Sequence, residues 1–211
     1  MTQFVLLLSL ITLNILFICT GGERTLKMCH RLHSILHKKN TESFRLVIIL
    51  GGTNDMTSLS ADHITQNIIK LHSIALNASS SMLSTISSHT HTHAHFPILT
   101  IALTIPQLIK WGGKEVDNKR LEVNTGIRKL AATCQPHITL LDFESLFDQN
   151  DQNNNKFWSP DLVHFSEKGY DKIGELIYDT IKSTILLYKF NSSRYELSKV
   201  CSDILQTPLT Y

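Results

Sequence analysis

A run of five apolar residues, Leu46 to Leu50, is followed at once by Gly51-Gly52-Thr53-Asn54-Asp55. A short β-branched run that ends in glycines predicts a buried strand that delivers an asparagine to a loop at its carboxyl end. Two more apolar runs follow at 98–103 and 138–141, with amphipathic helical segments between them. Strands that alternate with helices predict a parallel sheet with helices on both faces. We therefore predict an α/β fold, a three-layer α/β/α doubly wound sheet.

Apolar residues at three- and four-residue spacing locate the predicted helices, and short apolar runs locate the strands. Ser60 is a candidate cap for the second helix. In chain order, the predicted elements are a helix from about Thr25 to His37, a strand from Phe44 to Leu50, a helix from Ala61 to about Ala75, a strand from Ile98 to Leu103, a helix from Asp117 to about Ala132, a strand from Ile138 to Leu141, and a helix from Glu167 to Leu187. The polar run 148–156 is predicted to be a surface loop.

A second motif reads Asp161-Leu162-Val163-His164. An Asp three residues before a His can orient that His as a general base. Ligand sites of parallel α/β sheets lie at the carboxyl ends of the strands, and both Asn54 and the segment with His164 fit that placement. The two motifs supply an amide donor, a base and its orienting carboxylate, but no obvious nucleophile. Asp55 is predicted to be structural, capping the loop after the strand, and Asp142 could line the site because it ends a strand.

These motifs resemble blocks of the SGNH-hydrolase family, the GDSL-type esterases and lipases. The asparagine block of that family reads Gly-x-Asn-Asp, as at Gly52 to Asp55, and its last block reads Asp-x-x-His, as at Asp161 to His164. Its glycine block is similar to CTGGERT at Cys19 to Thr25, although Cys19 and Gly21 replace the usual Gly and Ser. Leu162 stands where the family usually has Gly, and Phe165 where it often has Pro.

The resemblance spans about residues 15–190 and implies a flavodoxin-like sheet of the SGNH-hydrolase type. It implies His164 as the base, oriented by Asp161. It also implies Gly22 and Asn54 as donors to an oxyanion hole. The expected reaction is acyl transfer through a Ser ester, on carboxylic esters of small acids, lipids or acetylated sugars.

The Gly-Asp-Ser block that carries the nucleophile of this family is missing. Ser9 is the only serine before the glycine block, and it lies in Leu8-Ser9-Leu10 without a Gly-Asp before it. A nucleophilic serine needs an exposed turn with donors around it, so we predict a buried or helical Ser9 and leave the nucleophile unknown. Either the start of the chain is mis-assigned, or the chain is a ligand-binding relative that has lost its nucleophile. As written, we expect it to be nearly inactive towards p-nitrophenyl esters.

Residues 1–18 form an apolar N-terminal segment, followed by a predicted domain at 19–190 and a tail at 191–211. The uncharged run within residues 4–18 is shorter than the roughly twenty apolar residues of a spanning helix, and no Lys or Arg precedes it. It is either a signal or anchor, or it contains a strand, Ile15 to Ile18, that enters the glycine block. A signal or anchor would make the protein secreted or membrane-associated, and an anchor is compatible with an interaction protein at the membrane. The strand would favour a cytoplasmic protein.

The composition of the chain argues against several kinds of binding partner. With 20 Lys and Arg against 18 Asp and Glu, the net charge is +2 and no basic stripe indicates nucleic-acid binding. The glycines are too sparse for a phosphate-binding loop, and Ser-His hydrolysis needs no metal. We therefore expect a small-molecule ester as the partner and no cofactor.

Two groups of potential metal-binding residues have a simpler interpretation. None of the four cysteines forms a Cys-x-x-Cys pair, so they are predicted to be free thiols: Cys19, Cys29, Cys134 and Cys201. Four alternating histidines would share one face of a strand and could bind a metal: His89, His91, His93 and His95. They lie in the Ser- and Thr-rich stretch Asn77 to His95, which we predict to be a solvated, partly disordered insertion.

Overall fold

Four parallel strands form the sheet of the protein. The computed structural model describes residues 15–18, 21–37, 44–85, 98–107 and 109–191. Within these ranges the strands lie in the order β1-β2-β3-β4, and they are β1 (Ile15–Ile18), β2 (Leu46–Ile49), β3 (Leu99–Leu103) and β4 (Ile138–Leu141). The helices are α1 (Thr25–Leu36), α2 (Ala61–Thr85), α3 (Ile109–Thr133), α4 (Phe143–Leu146) and α5 (Glu167–Asn191), with short 3-10 helices at Thr53–Asp55 and Gln152–Phe157.

Helices cover both faces of this sheet, so the predicted three-layer α/β/α fold is confirmed. Alternate side chains of a strand point to opposite faces. In β2, Val47 and Ile49 pack with residues of α1 and α2, whereas Leu46 and Ile48 pack with residues of α5. All four residues of β2 are buried, which explains why this strand is a continuous apolar run rather than an alternating one.

The helices differ from the prediction mainly at their ends. Helix α2 begins at the predicted residue, and Ser60 caps it by accepting a hydrogen bond from the backbone N–H of His63 at 3.3 Å. The helix continues to Thr85, so residues 77–85 are helical and not part of an irregular insertion. Packing against neighbouring helices can extend a helix beyond the residues with high helix propensity. The four alternating histidines lie outside the described residues.

Two other segments also carry more helical structure than predicted. Helix α3 begins at Ile109 rather than near Asp117, with an interruption at Gly113, whose φ is 67°. The interruption explains why regular apolar spacing begins in the sequence only after Gly113. The polar run 148–156, predicted as a loop, contains most of a 3-10 helix, and the side chain of Asp151 caps that helix by accepting from the N–H of Asn153.

The structure describes only the last four residues of the N-terminal segment 1–18, so it tests only whether these residues form a strand. Residues Ile15–Ile18 form strand β1, which pairs in parallel with β2, whereas Ser9 and the rest of residues 1–14 lie outside the described part. Among the helices that the structure describes, none is long and apolar enough to cross a membrane.

The prediction of free cysteines is wrong for one of them. Cys134 is disulfide-bonded, whereas Cys29 is a buried free thiol. The partner of Cys134 is therefore not among the described residues, which exclude Cys19 and Cys201. Sequence spacing carries no information about pairing when the cysteines are far apart.

Candidate active site

The glycine pair after β2 lets the chain turn sharply at the carboxyl edge of the sheet. A Cβ atom at Gly51 would lie 2.8 Å from the sulfur of Met28. Gly52 has a φ of 104°, and a Cβ atom there would lie 2.8 Å from the Cδ1 of Ile105. Because only glycine accepts both this backbone conformation and this close packing, the pair places Asn54 in the 3-10 turn directly after the strand.

Asn54 and the Gly22 loop are held together by hydrogen bonds. The Nδ2 of Asn54 donates to the backbone carbonyl of Glu23 at 3.1 Å. An asparagine amide carries two N–H bonds, so a second donor remains for a ligand. Gly22 has a φ of 75° and is exposed, and no heavy atom of the described residues lies within 4 Å of the position of a Cβ there. The structure thus brings together the two residues that the resemblance assigns to the oxyanion hole.

Two further contacts fix this loop, and sequence reasoning identified neither. Asp55 is fully buried, and its Oδ2 accepts a hydrogen bond from the backbone N–H of Thr25 at 2.9 Å, at the start of α1. Arg31, further along α1, donates to both carboxylate oxygens of Glu23, at 3.0 and 2.5 Å. Asp55 is therefore structural, as predicted, but it satisfies a donor of the first turn of α1 rather than a donor in its own loop.

His164 and Asp161 form the second half of the candidate site. The Nδ1 of His164 lies 2.8 Å from the Oδ2 of Asp161, and the other carboxylate oxygen accepts from the backbone N–H groups of Val163 and His164, at 2.9 and 3.0 Å. Since a carboxylate only accepts, the proton lies on Nδ1, and Nε2 presents its lone pair as a base requires. Hydrogen bonds from the backbone and the ring of His164 lower the pKa of Asp161 to about 2, which keeps this carboxylate ionised.

The loop that carries this pair is closed at its base by aromatic packing. Trp158 and Phe165 form an antiparallel bridge, and their rings stack with centroids 4.5 Å apart. The carbonyl of Leu162 accepts a hydrogen bond from the Nε2 of Gln149 at 2.8 Å. Leu162, which stands where the family usually has Gly, has a φ of 53°, in the left-handed region that favours glycine.

The predicted site residues lie at the same edge of the sheet. Gly22 follows the end of β1, Asn54 follows the end of β2, and the His164 loop is part of the connection from β4 to α5. Leu50, just before the glycine pair, packs in the same apolar cluster as Leu162 and Phe165. Residues of three connections therefore lie at the carboxyl edge, where ligands of such sheets bind.

One element of a hydrolase site is not seen in the described ranges. There, no Ser, Thr or Cys side chain hydrogen-bonds to the Nε2 of His164, whose side chain is 72% exposed. Cys19, next to the Gly22 loop, lies outside the described residues. The catalytic roles of Gly22, Asn54, Asp161 and His164 stay predictions.

Asp142 has a different environment from the one suggested by its position at the end of β4. Arg128 donates to both of its carboxylate oxygens at 2.9 Å, and the hydroxyl of Thr104 donates to Oδ1 at 2.8 Å. Burial acts to raise the pKa of Asp142, but these hydrogen bonds outweigh it and lower the pKa. Asp142 therefore belongs to an ion-pair network with Arg128 and Glu144, which holds α3 to the end of β4.

The described ranges thus form a parallel α/β sheet with helices on both faces and an Asp–His pair in the connection that follows the last strand. The sequence matches the model of the GDSL-like Lipase/Acylhydrolase family over residues 12–172, and the chain belongs to that family. This confirms the family inferred from the motifs.

Solved structures support the same fold. A member of the lipolytic protein G-D-S-L family from Veillonella parvula DSM 2008 superposes with a TM-score of 0.55 at 18% identity, over 75% of this chain and 74% of the other. A lipase/acylhydrolase from Enterococcus faecalis gives a TM-score of 0.52 at 19% identity, over 77% and 72% of the two chains. No curated protein sequence matches this chain.

Proposed function

We propose that this chain is an SGNH-type hydrolase that acts on carboxylic ester bonds. The observation that carries the proposal is the Asp161–His164 pair, in which a 2.8 Å hydrogen bond sets the tautomer of a general base. In this role His164 would take a proton from the attacking hydroxyl and return it to the leaving alcohol. Asp161 would orient the ring and stabilise the imidazolium form.

The Gly22–Asn54 pair supports the second requirement of ester hydrolysis. The carbonyl oxygen of the ester becomes negatively charged in the tetrahedral intermediate, and fixed N–H donors stabilise that charge. The backbone N–H of Gly22 and the second N–H of Asn54 would be these donors, held by the hydrogen bond between Asn54 and Glu23. Removal of one such donor typically lowers the rate by about 10²–10³.

Two candidate functions, a hydrolase and a ligand-binding protein, differ in whether the protein has a nucleophile. The first 18 residues offer only Ser9, without a Gly-Asp before it, and in the described ranges no hydroxyl or thiol is bonded to the Nε2 of His164. This observation favours, as the second candidate, a ligand-binding relative that keeps the pocket and forms no acyl-enzyme.

Hydrolysis of p-nitrophenyl acetate by the 211-residue chain and its variants tests the proposal. A serine hydrolase without its triad can still exceed water by about 10³–10⁴ through its donors and binding, so we expect slow turnover. Asn54→Ala should reduce it because it removes a donor, and His164→Ala should reduce it because the ring can act as a general base towards water. His37→Ala, at the exposed residue that follows α1, should not. Turnover that is the same in all three variants and the parent would contradict the proposed site.

Covalent labelling separates the two candidates. A fluorophosphonate reacts with an activated serine, and we expect it not to label the chain as written. A version extended by an upstream Gly-Asp-Ser, if the genomic DNA before Met1 encodes one in frame, should be labelled at that serine. Labelling of the 211-residue chain itself, mapped by mass spectrometry, would show that the nucleophile is already present and would exclude the ligand-binding candidate.

A further inference from the structure

A polar cavity of about 470 Å³ lies between α3 and the segments that follow β3 and β4. This volume falls within the range of about 300–1,000 Å³ that is typical of small-molecule sites. Among the described residues, Gln107 lines the cavity after β3, α3 contributes four side chains, and four more belong to α4 and the loop after it. We propose that this cavity binds a neutral, polyhydroxylated ligand such as a monosaccharide unit.

Two buried side chains of the cavity carry hydrogen-bond donors that are not used within the described ranges. Arg120 is 2% exposed, and it donates through Nε to Asp117 at 2.6 Å and through Nη1 to the carbonyl of Ile105 at 3.2 Å. Gln107 is 8% exposed, and its Oε1 accepts from the backbone N–H of Gln149 at 3.0 Å. The Nη2 of Arg120 and the Nε2 of Gln107 have no acceptor there, and both atoms keep some contact with solvent. Their N–H groups are therefore available to a ligand in the cavity.

The same cavity also holds unused acceptors. The Oε2 of Glu144 accepts from Asn124 and Arg128, both at 2.8 Å, and the Oδ1 of Asp148 accepts from the backbone and the side chain of Asn150. In the described part of the chain, no donor bonds to the second oxygen of either carboxylate. A hydroxyl group both donates and accepts, so a ligand with several hydroxyls can use both kinds of free group.

The charges around the cavity argue against an ionic ligand. At neutral pH its described lining residues carry two guanidinium groups and three carboxylates, which gives a net charge of −1. Asp142, which binds Arg128, adds a further negative charge next to them, so an anion would be repelled. A metal cation would meet the two guanidinium groups, and the described ranges contain no group of three or more His, Cys, Asp or Glu side chains that could hold a metal.

The composition of the lining also argues against a fatty acyl chain. Leu121 is the only apolar side chain among the described residues that line the cavity. An apolar chain would remove water from the polar and charged walls without replacing the lost hydrogen bonds, which costs free energy. A sugar would replace those hydrogen bonds and would still have C–H groups to place against Leu121.

Gln149 connects this cavity to the loop that carries His164. Its backbone N–H donates to the Oε1 of Gln107, and its Nε2 donates at 2.8 Å to the carbonyl of Leu162, two residues before His164. The cavity thus lies at the carboxyl edge of the sheet beside β3 and β4, whereas the proposed oxyanion donors follow β1 and β2. The proposal concerns binding at this separate cavity and does not depend on the proposed hydrolase function.

Saturation-transfer difference NMR on the full chain tests the proposal. The probes are the neutral sugars glucose, galactose, mannose, xylose and N-acetylglucosamine, and the anionic sugar glucuronate. We expect at least one neutral sugar to bind with a dissociation constant of about 1–10 mM or lower, and we expect glucuronate to bind more weakly than that sugar. Absence of saturation transfer to every neutral sugar, or tighter binding of glucuronate, would overturn the proposal.

Two isosteric variants test whether the sugar binds in this cavity. Gln107→Glu keeps an acceptor for the N–H of Gln149 but removes the free donor. Asp148→Asn keeps an acceptor for Asn150 but turns the free acceptor into a donor. Each variant loses a hydrogen bond to the ligand and should bind it about fivefold or more weakly. Equal affinity in the parent and in both variants would place the sugar elsewhere and refute the assignment.

Asp151→Asn is the matched control for Asp148→Asn. Asp151 accepts from the backbone and the side chain of Asn153 as Asp148 does from Asn150, but it is exposed and does not line the cavity. It should therefore bind the sugar like the parent, and a loss as large as that of Asp148→Asn would contradict the proposed site. Thermal unfolding followed by circular dichroism checks that every variant is folded at the temperature of the NMR experiment.

Discussion

Lowering the pH should destabilise this protein through a buried histidine in α2. His72 is fully buried, and its Nδ1 lies 2.8 Å from the hydroxyl oxygen of Thr100 in β3. Its Nε2 is also buried and has no hydrogen-bond partner among the residues that the structure describes. Burial lowers the pKa of His72 from 6.5 to about 3, because a charged imidazolium cannot be solvated there. The ring is therefore neutral in the folded protein at any pH well above 3.

The sign and the size of the effect follow from proton binding. Between the two pKa values the unfolded chain binds a proton at this ring and the folded protein does not, so the free energy of unfolding falls as the pH falls. One proton corresponds to about 1.4 kcal/mol per pH unit. The contribution of His72 is thus complete above pH 6.5, and about 2 kcal/mol of it should be lost at pH 5. Burial also lowers the pKa of His137, which adds a smaller loss of the same sign.

Urea unfolding at pH 7.5 and pH 5.0, followed by circular dichroism, measures this loss. His72→Asn places an amide near the Nδ1 position, where it can still bond to Thr100, and it cannot titrate. We expect the variant to be less stable than the parent at pH 7.5 but to lose about 2 kcal/mol less between the two pH values. His37→Asn, at an exposed position, should keep the pH dependence of the parent. Parallel curves for the parent and His72→Asn would refute the assignment.

Three further changes test separate parts of the molecule. Asp55→Ala leaves the buried N–H of Thr25 without its acceptor and should cost about 1–3 kcal/mol in urea unfolding; Asp55→Asn keeps an acceptor and should cost less, so equal losses would contradict this role. Deletion of residues 89–95 should preserve cooperative unfolding, because this stretch carries few apolar side chains; a non-cooperative transition would show that it is structural. Leu162→Gly should be more stable than Leu162→Ala by about 1 kcal/mol, because only Ala keeps a side chain at a φ of 53°; the reverse order would mean that this conformation is not strained.

Periodic features of the sequence predicted the fold well. Strand β4 has the predicted bounds, and β2 and β3 lie within the predicted runs. Strands β2 and β3 are buried on both faces, so their apolar runs are continuous and end at glycine or polar residues. The starts of α1 and α5 were also predicted at the right residues, because each helix begins where apolar spacing begins. The end of α2 was not, since the Ser and Asn residues of its last turns have low helix propensity.

The local part of the candidate site was also accessible from the sequence. Asp161 and His164 are three residues apart, so a hydrogen bond between their side chains requires only a local loop. The motif itself predicts that loop. The bond from Asn54 to Glu23 joins residues 31 positions apart. No pattern along the chain encodes that contact, which depends on β1 and β2 being neighbours in the sheet.

Asp55 shows why such contacts decide the geometry of the site. Its carboxylate reaches the first turn of α1, while its own backbone belongs to the turn that carries Asn54. A displacement of α1 relative to this turn would therefore change the distance between Gly22 and Asn54, the two proposed oxyanion donors. Because an oxyanion donor acts only when it is aimed at the position of the developing charge, the buried Asp55 contributes to the site without touching a substrate.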